Sequence, residues 1–176
     1  MKFDVPTRSE VNETNQGIFD HLEKAVGFVP NIYATFASSN NALKNYLDFA
    51  NAKSSLKAKE KEVINLAVSE INQCHYCLSA HTAIAGMNGF SAEQIIDLRG
   101  GKAPFDAKLD ALAKLGRNMA ENRGATSPAV IENFFAAGWT KENLIDAVNL
   151  VGEITITNYL HGTTKVPIDF PVAPAL

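Results

Sequence analysis

Residues 62–81 read EVINLAVSEINQCHYCLSAH and hold both cysteines of the chain, Cys74 and Cys77. The spacing predicts one helix from about Ala58 to Asn72 and a second from about His75 to Met87. On a helix, positions three and four apart share a face. Cys74 and Cys77 are then close enough for a disulfide, whose Cα separation is about 4.4–6.8 Å. Cys77 and His81 face one another in the same way.

That arrangement has the parts of a redox cycle. A helix N-terminus carries unpaired N–H groups and partial positive charge, which favours thiolate over thiol. A nearby imidazole can take the thiol proton or stabilise the anion. A thiolate that attacks a peroxide becomes a sulfenic acid, and a second thiol within reach condenses with it to a disulfide. A structural disulfide gains most by closing a long loop, and this pair encloses almost none. In a reducing compartment such a close pair points to catalysis or metal binding.

The rest of the chain reads as helices. Arg8 to Val26 places Val11, Ile18, Leu22 and Ala25 on one side, with Gly27 as a stop. Pro30 opens a short helix through Phe36, and Asn40 or Asn41 caps another to about Lys53, before a break at Ser54 and Ser55. Ser91 and Gln94 have capping-box spacing for a helix ending near Gly100. Asp106 to Asn122 is amphipathic through Leu109, Leu112, Ala113, Leu115 and Met119. Ser127-Pro128 starts a helix that stops at Gly138, and Thr140 caps a long last helix to about His161. The tail VPIDFPVAPAL is proline-broken and reads as extended, a candidate to lie across a neighbouring subunit. No strand pattern competes, so the expected fold is all-α, a single domain over residues 1–176.

With 176 residues, 46% of them hydrophobic, the chain can bury a real core. Sixteen Lys and Arg against 19 Asp and Glu leave no basic stripe for nucleic acid. The polar start MKFDVPTRSEVNET lacks the apolar run of a signal peptide, and no stretch approaches a membrane span. The expectation is a cytoplasmic protein with neither nucleic-acid nor membrane partners.

The pattern Glu62, eleven residues, Cys-x-x-Cys, three residues, His81 resembles the signature of the alkylhydroperoxidase D-like proteins, part of the wider carboxymuconolactone decarboxylase family. The core of the resemblance spans about residues 56–100. GFVPNIYATFASS and NYLHGTTKVPIDF are similar to its peroxidase-related branch. The resemblance implies an all-helical alkylhydroperoxidase D-like bundle that acts as a thiol-dependent antioxidant peroxidase, a peroxiredoxin-type oxidoreductase. It implies Cys77 as the attacking thiol, Cys74 as its resolving partner, and Glu62 with His81 as a proton relay. It implies a hydroperoxide substrate, a dithiol reductant or lipoyl-type adaptor protein, no cofactor, and a homotrimer or homohexamer. Alkylhydroperoxidase D itself has a histidine just before its second cysteine; Tyr76 stands there in this chain, with His75 one position earlier.

Other readings of the same residues remain open. Cys74, Cys77, His81 and His75 are potential zinc ligands, although structural zinc sites usually draw on two separated segments. The family also contains decarboxylase-type lyases, whose chemistry needs no cysteine pair, and a redox-sensing protein is a third class. Glu62 alone could be a solvated helix residue, since its spacing does not by itself bring it to the thiols. Glu70 lies four residues before Cys74 and is expected at the surface or a subunit contact. His75 and Tyr76 are auxiliary candidates: His75 is expected either to be exposed or to tune the thiols, and Tyr76 to pack beside the pair. His161 is expected as a helix C-terminal dipole partner, His21 has no evident partner, and Trp139 with Phe134 and Phe135 is expected in the core or an interface.

Overall fold

The computed structural model describes residues 3–176, and among them there is no strand. A single 3-10 turn, Arg8–Glu10, precedes nine α-helices. These are α1 Glu13–Val26, α2 Asn31–Phe36, α3 Ala42–Ala50, α4 Ala58–Ile71, α5 His75–Met87, α6 Ala92–Arg99, α7 Ala107–Glu121, α8 Pro128–Ala136 and α9 Lys141–Thr164. The fold is all-α, as the periodicity predicts.

Helix α4 is the axis of the bundle. Its residues from Glu62 to Ser69 are buried without interruption, as expected for a helix enclosed on all sides. It packs against α5, α6, α7 and α9. Against α7 the absence of a side chain at Gly116 lets the two helices approach closely: a Cβ there would meet Ile64 Cγ1 at 3.4 Å and Ile64 Cα at 3.5 Å. At the far end of the core, Phe134 and Trp139 stack with centroids 5.5 Å apart. Trp139 Nε1 donates to Lys108 O at 3.0 Å.

Several ends differ from their expected positions, each for a local reason. The first α-helix begins at Glu13, not Arg8. Val11 is extended and buried, and the Asn12 side chain accepts from Asn15 N at 2.9 Å as the cap. Pro30 is the residue before α2 rather than a member of its first turn. Helix α3 stops at Ala50 instead of Lys53, because the chain beyond it is drawn to α9. There Ser55 N donates to Asp146 Oδ2 at 2.5 Å, and Asn143 Nδ2 donates to Ser55 Oγ at 2.8 Å. Helix α9 runs to Thr164, past His161, and ends where Lys165 turns left-handed.

The tail is extended as expected, and it is anchored on its own chain. Val166 is buried. Asp169 Oδ2 accepts from Asn31 N at 2.6 Å, Ala173 N donates to Ser79 Oγ at 3.1 Å, and Arg99 Nη1 donates to Pro174 O at 2.6 Å. Buried donors on α2 and α6 need acceptors, and the tail supplies them. Among the described residues no helix is long and apolar enough to cross a membrane.

Candidate active site

Cys74 is the N-cap of α5, and its Sγ accepts from Cys77 N at 3.3 Å. Cys77 therefore sits in the first turn, where backbone N–H groups lack helical partners. The two cysteines are joined as a disulfide, with Cα atoms 5.3 Å apart. Both are buried. One face of one helix turn thus brings the pair together, as the three-residue spacing predicts.

His81 lies one turn further along α5. Its Nδ1 is 2.8 Å from Glu62 Oε2 on α4. The second oxygen of Glu62 accepts from Asn65 Nδ2 at 3.1 Å, so the carboxylate is held at both ends. Glu62 is 5% exposed, which sets aside the solvated reading. Burial pushes the His81 pKa down. The charge and hydrogen bond of Glu62, with a smaller pull from Glu153, outweigh that effect and hold it above its ordinary value.

Cys77 and His81 line a cavity of about 510 Å³ whose other walls include Phe28, Tyr33, Tyr46, Tyr76 and Phe170. That size suits a small organic ligand, and an apolar wall with few polar groups is the usual build of such sites. Met87, at 85% exposure, and Val26, at 50%, stand among its lining residues.

The auxiliary candidates separate. His75 is exposed on the first turn of α5. Tyr76 is buried beside the pair, and its Oη accepts from Ile32 N at 3.2 Å. Burial, with the nearby Asp169 carboxylate, raises its phenol pKa. Glu70 does not approach the thiols: it pairs with the buried Arg99, Oε2 to Nε 2.7 Å. His161 packs on Tyr76 with centroids 5.5 Å apart. Burial and the Lys165 charge push its pKa down, so it is not the charged dipole partner expected of it. His21 is exposed. Among the described residues no group of three or more His, Cys, Asp or Glu side chains is arranged to hold a metal ion.

Sequence reading missed a second polar group at this cavity. Glu153 of α9 and Tyr46 of α3 both line it, and Tyr46 Oη donates to Glu153 Oε1. Thr157, one turn on from Glu153, lies with its Oγ1 3.9 Å from Cys77 Sγ. Burial, against the pull of the Tyr46 bond, His81 and Lys61, holds the Glu153 pKa above the usual carboxylate value. The only local signal was a lone acid within the apolar run Leu150-Val151-Gly152-Glu153-Ile154.

Comparison with known proteins agrees with this architecture. Residues 37–116 match the model of the carboxymuconolactone decarboxylase family. No curated protein matches the chain. A peroxidase-related protein from Silicibacter sp. TM1040 superposes with TM-score 0.82 at 25% identity, over 93% of this chain and 89% of that one. A peroxidase-related protein with an alkylhydroperoxidase AhpD core, from Ralstonia eutropha JMP134, gives TM-score 0.86 at 20% identity, over 96% and 92%. The debrominase Bmp8, solved with 2,3,4-tribromopyrrole, shares the fold with TM-score 0.79 at 13% identity, over 96% and 92%. The matched segment contains Glu62, both cysteines and His81, so the likeness to the carboxymuconolactone decarboxylase family covers the whole candidate site, and the chain around it shares the fold of the peroxidase-related proteins with an alkylhydroperoxidase core.

Proposed function

We propose that the protein is a thiol-dependent peroxidase, in which Cys77 and Cys74 reduce a hydroperoxide and His81 with Glu62 handles the proton. The observation that carries this reading is the Cys74–Cys77 pair, closed as a disulfide at the start of α5, with Cys77 on a cavity that also holds a carboxylate-bound imidazole. His81, made more basic by Glu62, takes the Cys77 proton. The thiolate attacks the terminal peroxide oxygen: an S–O bond forms, the O–O bond breaks, and an alcohol leaves. The Cys74 sulfur then displaces water from the Cys77 sulfenic acid, and the disulfide forms. A dithiol or a lipoyl-type adaptor returns two electrons and two protons.

The dithiol favours this reading over a lyase, which has no use for it. The exposed row Ile145, Val148, Ile156 and Tyr159 along α9 supports assembly of identical copies as a trimer or hexamer, which analytical ultracentrifugation would read.

The test is peroxide consumption by wild type, Cys74→Ser and Cys77→Ser with several dithiol reductants. Wild type should turn over, Cys74→Ser should react once and stop, and Cys77→Ser should be inert. Full turnover by Cys77→Ser would sink the assignment. Because a debrominase shares the fold, a halogenated pyrrole belongs in the same assay. Thiol oxidation by that acceptor alone would replace hydroperoxides with organohalides as the substrate class.

A further inference from the structure

The relay of His81 and Glu62 removes a proton from the attacking thiol, but the alkoxide released when the O–O bond breaks needs one supplied. Alkoxides are strong bases and poor leaving groups, so an acid at that position lowers the barrier. The cavity offers one. Tyr46, Glu153 and Thr157 line it together with Cys77 and His81. The Tyr46 ring is 7% exposed and stacks on Phe36, with centroids 4.6 Å apart and planes within 14°. Its hydroxyl is therefore held in place and donates to Glu153 Oε1; when Glu153 is protonated the same contact can run from carboxyl to phenol oxygen, which frees the phenol proton for the cavity.

Thr157 stands between this pair and the sulfur. Its Oγ1 is 3.9 Å from Cys77 Sγ and also neighbours the Tyr46 hydroxyl. Its own proton is given to Ile154 O at 2.8 Å, so its lone pairs are left to accept from the site. Tyr46 thus lies one hydroxyl beyond the sulfur, on the cavity wall, where the departing oxygen of a peroxide bound at Cys77 would be.

We infer that Tyr46 is the acid of this site, giving its hydroxyl proton to the leaving alkoxide, and that Glu153 acts through Tyr46 by replacing that proton. The inference rests on the peroxidase reading above. In the step, the Cys77 lone pair forms the S–O bond and the O–O pair goes to the inner oxygen. The Tyr46 proton moves to that oxygen to make the alcohol, and the Glu153 proton moves to Tyr46. The sulfenic acid keeps the terminal O–H. The proton taken up by His81 from the Cys77 thiol restores Glu153 by way of water, so thiol and hydroperoxide become sulfenic acid and alcohol with nothing left over. Burial keeps Glu153 protonated to a higher pH than an ordinary glutamate. That suits a proton store beside an imidazole that becomes charged when it takes the Cys77 proton.

The experiment compares two oxidants on the reduced protein in a single turnover, read by free-thiol loss. tert-Butyl hydroperoxide releases an alkoxide that must be protonated, and peracetic acid releases acetate, which need not be. Tyr46→Phe should slow the first reaction by about 100-fold, within the span of general-acid catalysis, and change the second by less than about threefold. Glu153→Gln should act in the same direction and abolish the loss of tert-butyl hydroperoxide rate at high pH that deprotonation of the store imposes. The phenyl ring of Tyr46→Phe keeps the stack on Phe36, so the variant retains its fold, which circular dichroism checks. Equal slowing of both oxidants would mean that the pair only shapes the cavity, and no slowing of either would mean that it is idle; each overturns the inference. Wild-type thiols that react with peracetic acid but with no alkyl hydroperoxide would overturn the peroxidase reading itself, and this one with it.

Discussion

Glu62 Oε2 and His81 Nδ1 meet at 2.8 Å across the interface of α4 and α5. They join the most buried helix of the bundle to the helix that carries the dithiol. Because burial alone would depress the imidazole pKa and Glu62 reverses that, Glu62→Gln should bring the His81 midpoint down. Proton-detected NMR titration should find wild type above the ordinary value of about 6.5 and the variant below its parent. An unchanged midpoint would mean that the contact is not an ion pair.

The same pair has a stability signature. A histidine whose folded pKa is raised stabilises the fold most when protonated, so its contribution is full below about pH 6.5 and is lost as pH rises through the folded midpoint. The gap in denaturation midpoint between wild type and Glu62→Gln should therefore be widest on the acid side of that window and narrow on the basic side. A gap that widens toward high pH would contradict the sign.

Much of this site is written in short sequence intervals. Cys74, Cys77 and His81 lie within two turns of one helix, so local spacing alone determines which of them meet. Glu62 needed the additional fact that α4 folds back along α5, and only family resemblance supplied it beforehand. Tyr46 and Glu153 are 107 positions apart and belong to helices with no shared motif, and nothing local signals their contact. The helix ends at Arg8 and Lys53 were misjudged because apolar spacing extends past the residues that tertiary contacts draw away. Val11 goes into the core in extended form, and Ser55 is held by Asp146. The tail's attachment within the chain was not legible for the same reason: its partners Asn31, Ser79 and Arg99 are far away in sequence.

Arg99 is 3% exposed, pairs with Glu70 and holds the Pro174 carbonyl. Arg99→Ala removes both partners at once. A buried polar group left unsatisfied costs about 1–3 kcal/mol, and Glu70 retains some access to water. The expected loss of unfolding free energy in urea is therefore about 2 kcal/mol. The more specific readout is hydrogen exchange: amides of residues 166–176 should exchange faster while those of α4 keep their protection relative to global stability. Uniform loss across the chain would show that Arg99 anchors the core and not the tail.

Tyr76 packs beside the dithiol as its position predicts, and its hydroxyl has a mechanical role. The first N–H groups of a helix have no partners within it. Asp169 accepts from Asn31 N at the start of α2, and Tyr76 Oη accepts from the next, Ile32 N, at 3.2 Å. Tyr76→Phe keeps the ring between His161 and Phe170 but strands a buried N–H, at a cost of about 1–3 kcal/mol. The thiols lose nothing, because the hydroxyl faces α2 and not the sulfur pair. Thermal unfolding should shift down, while the rate of disulfide formation after one peroxide equivalent stays within about twofold of wild type, less than the loss of any acid–base group would produce. A variant that folds as stably as wild type but oxidises much more slowly would reverse this assignment and make Tyr76 a participant in the chemistry.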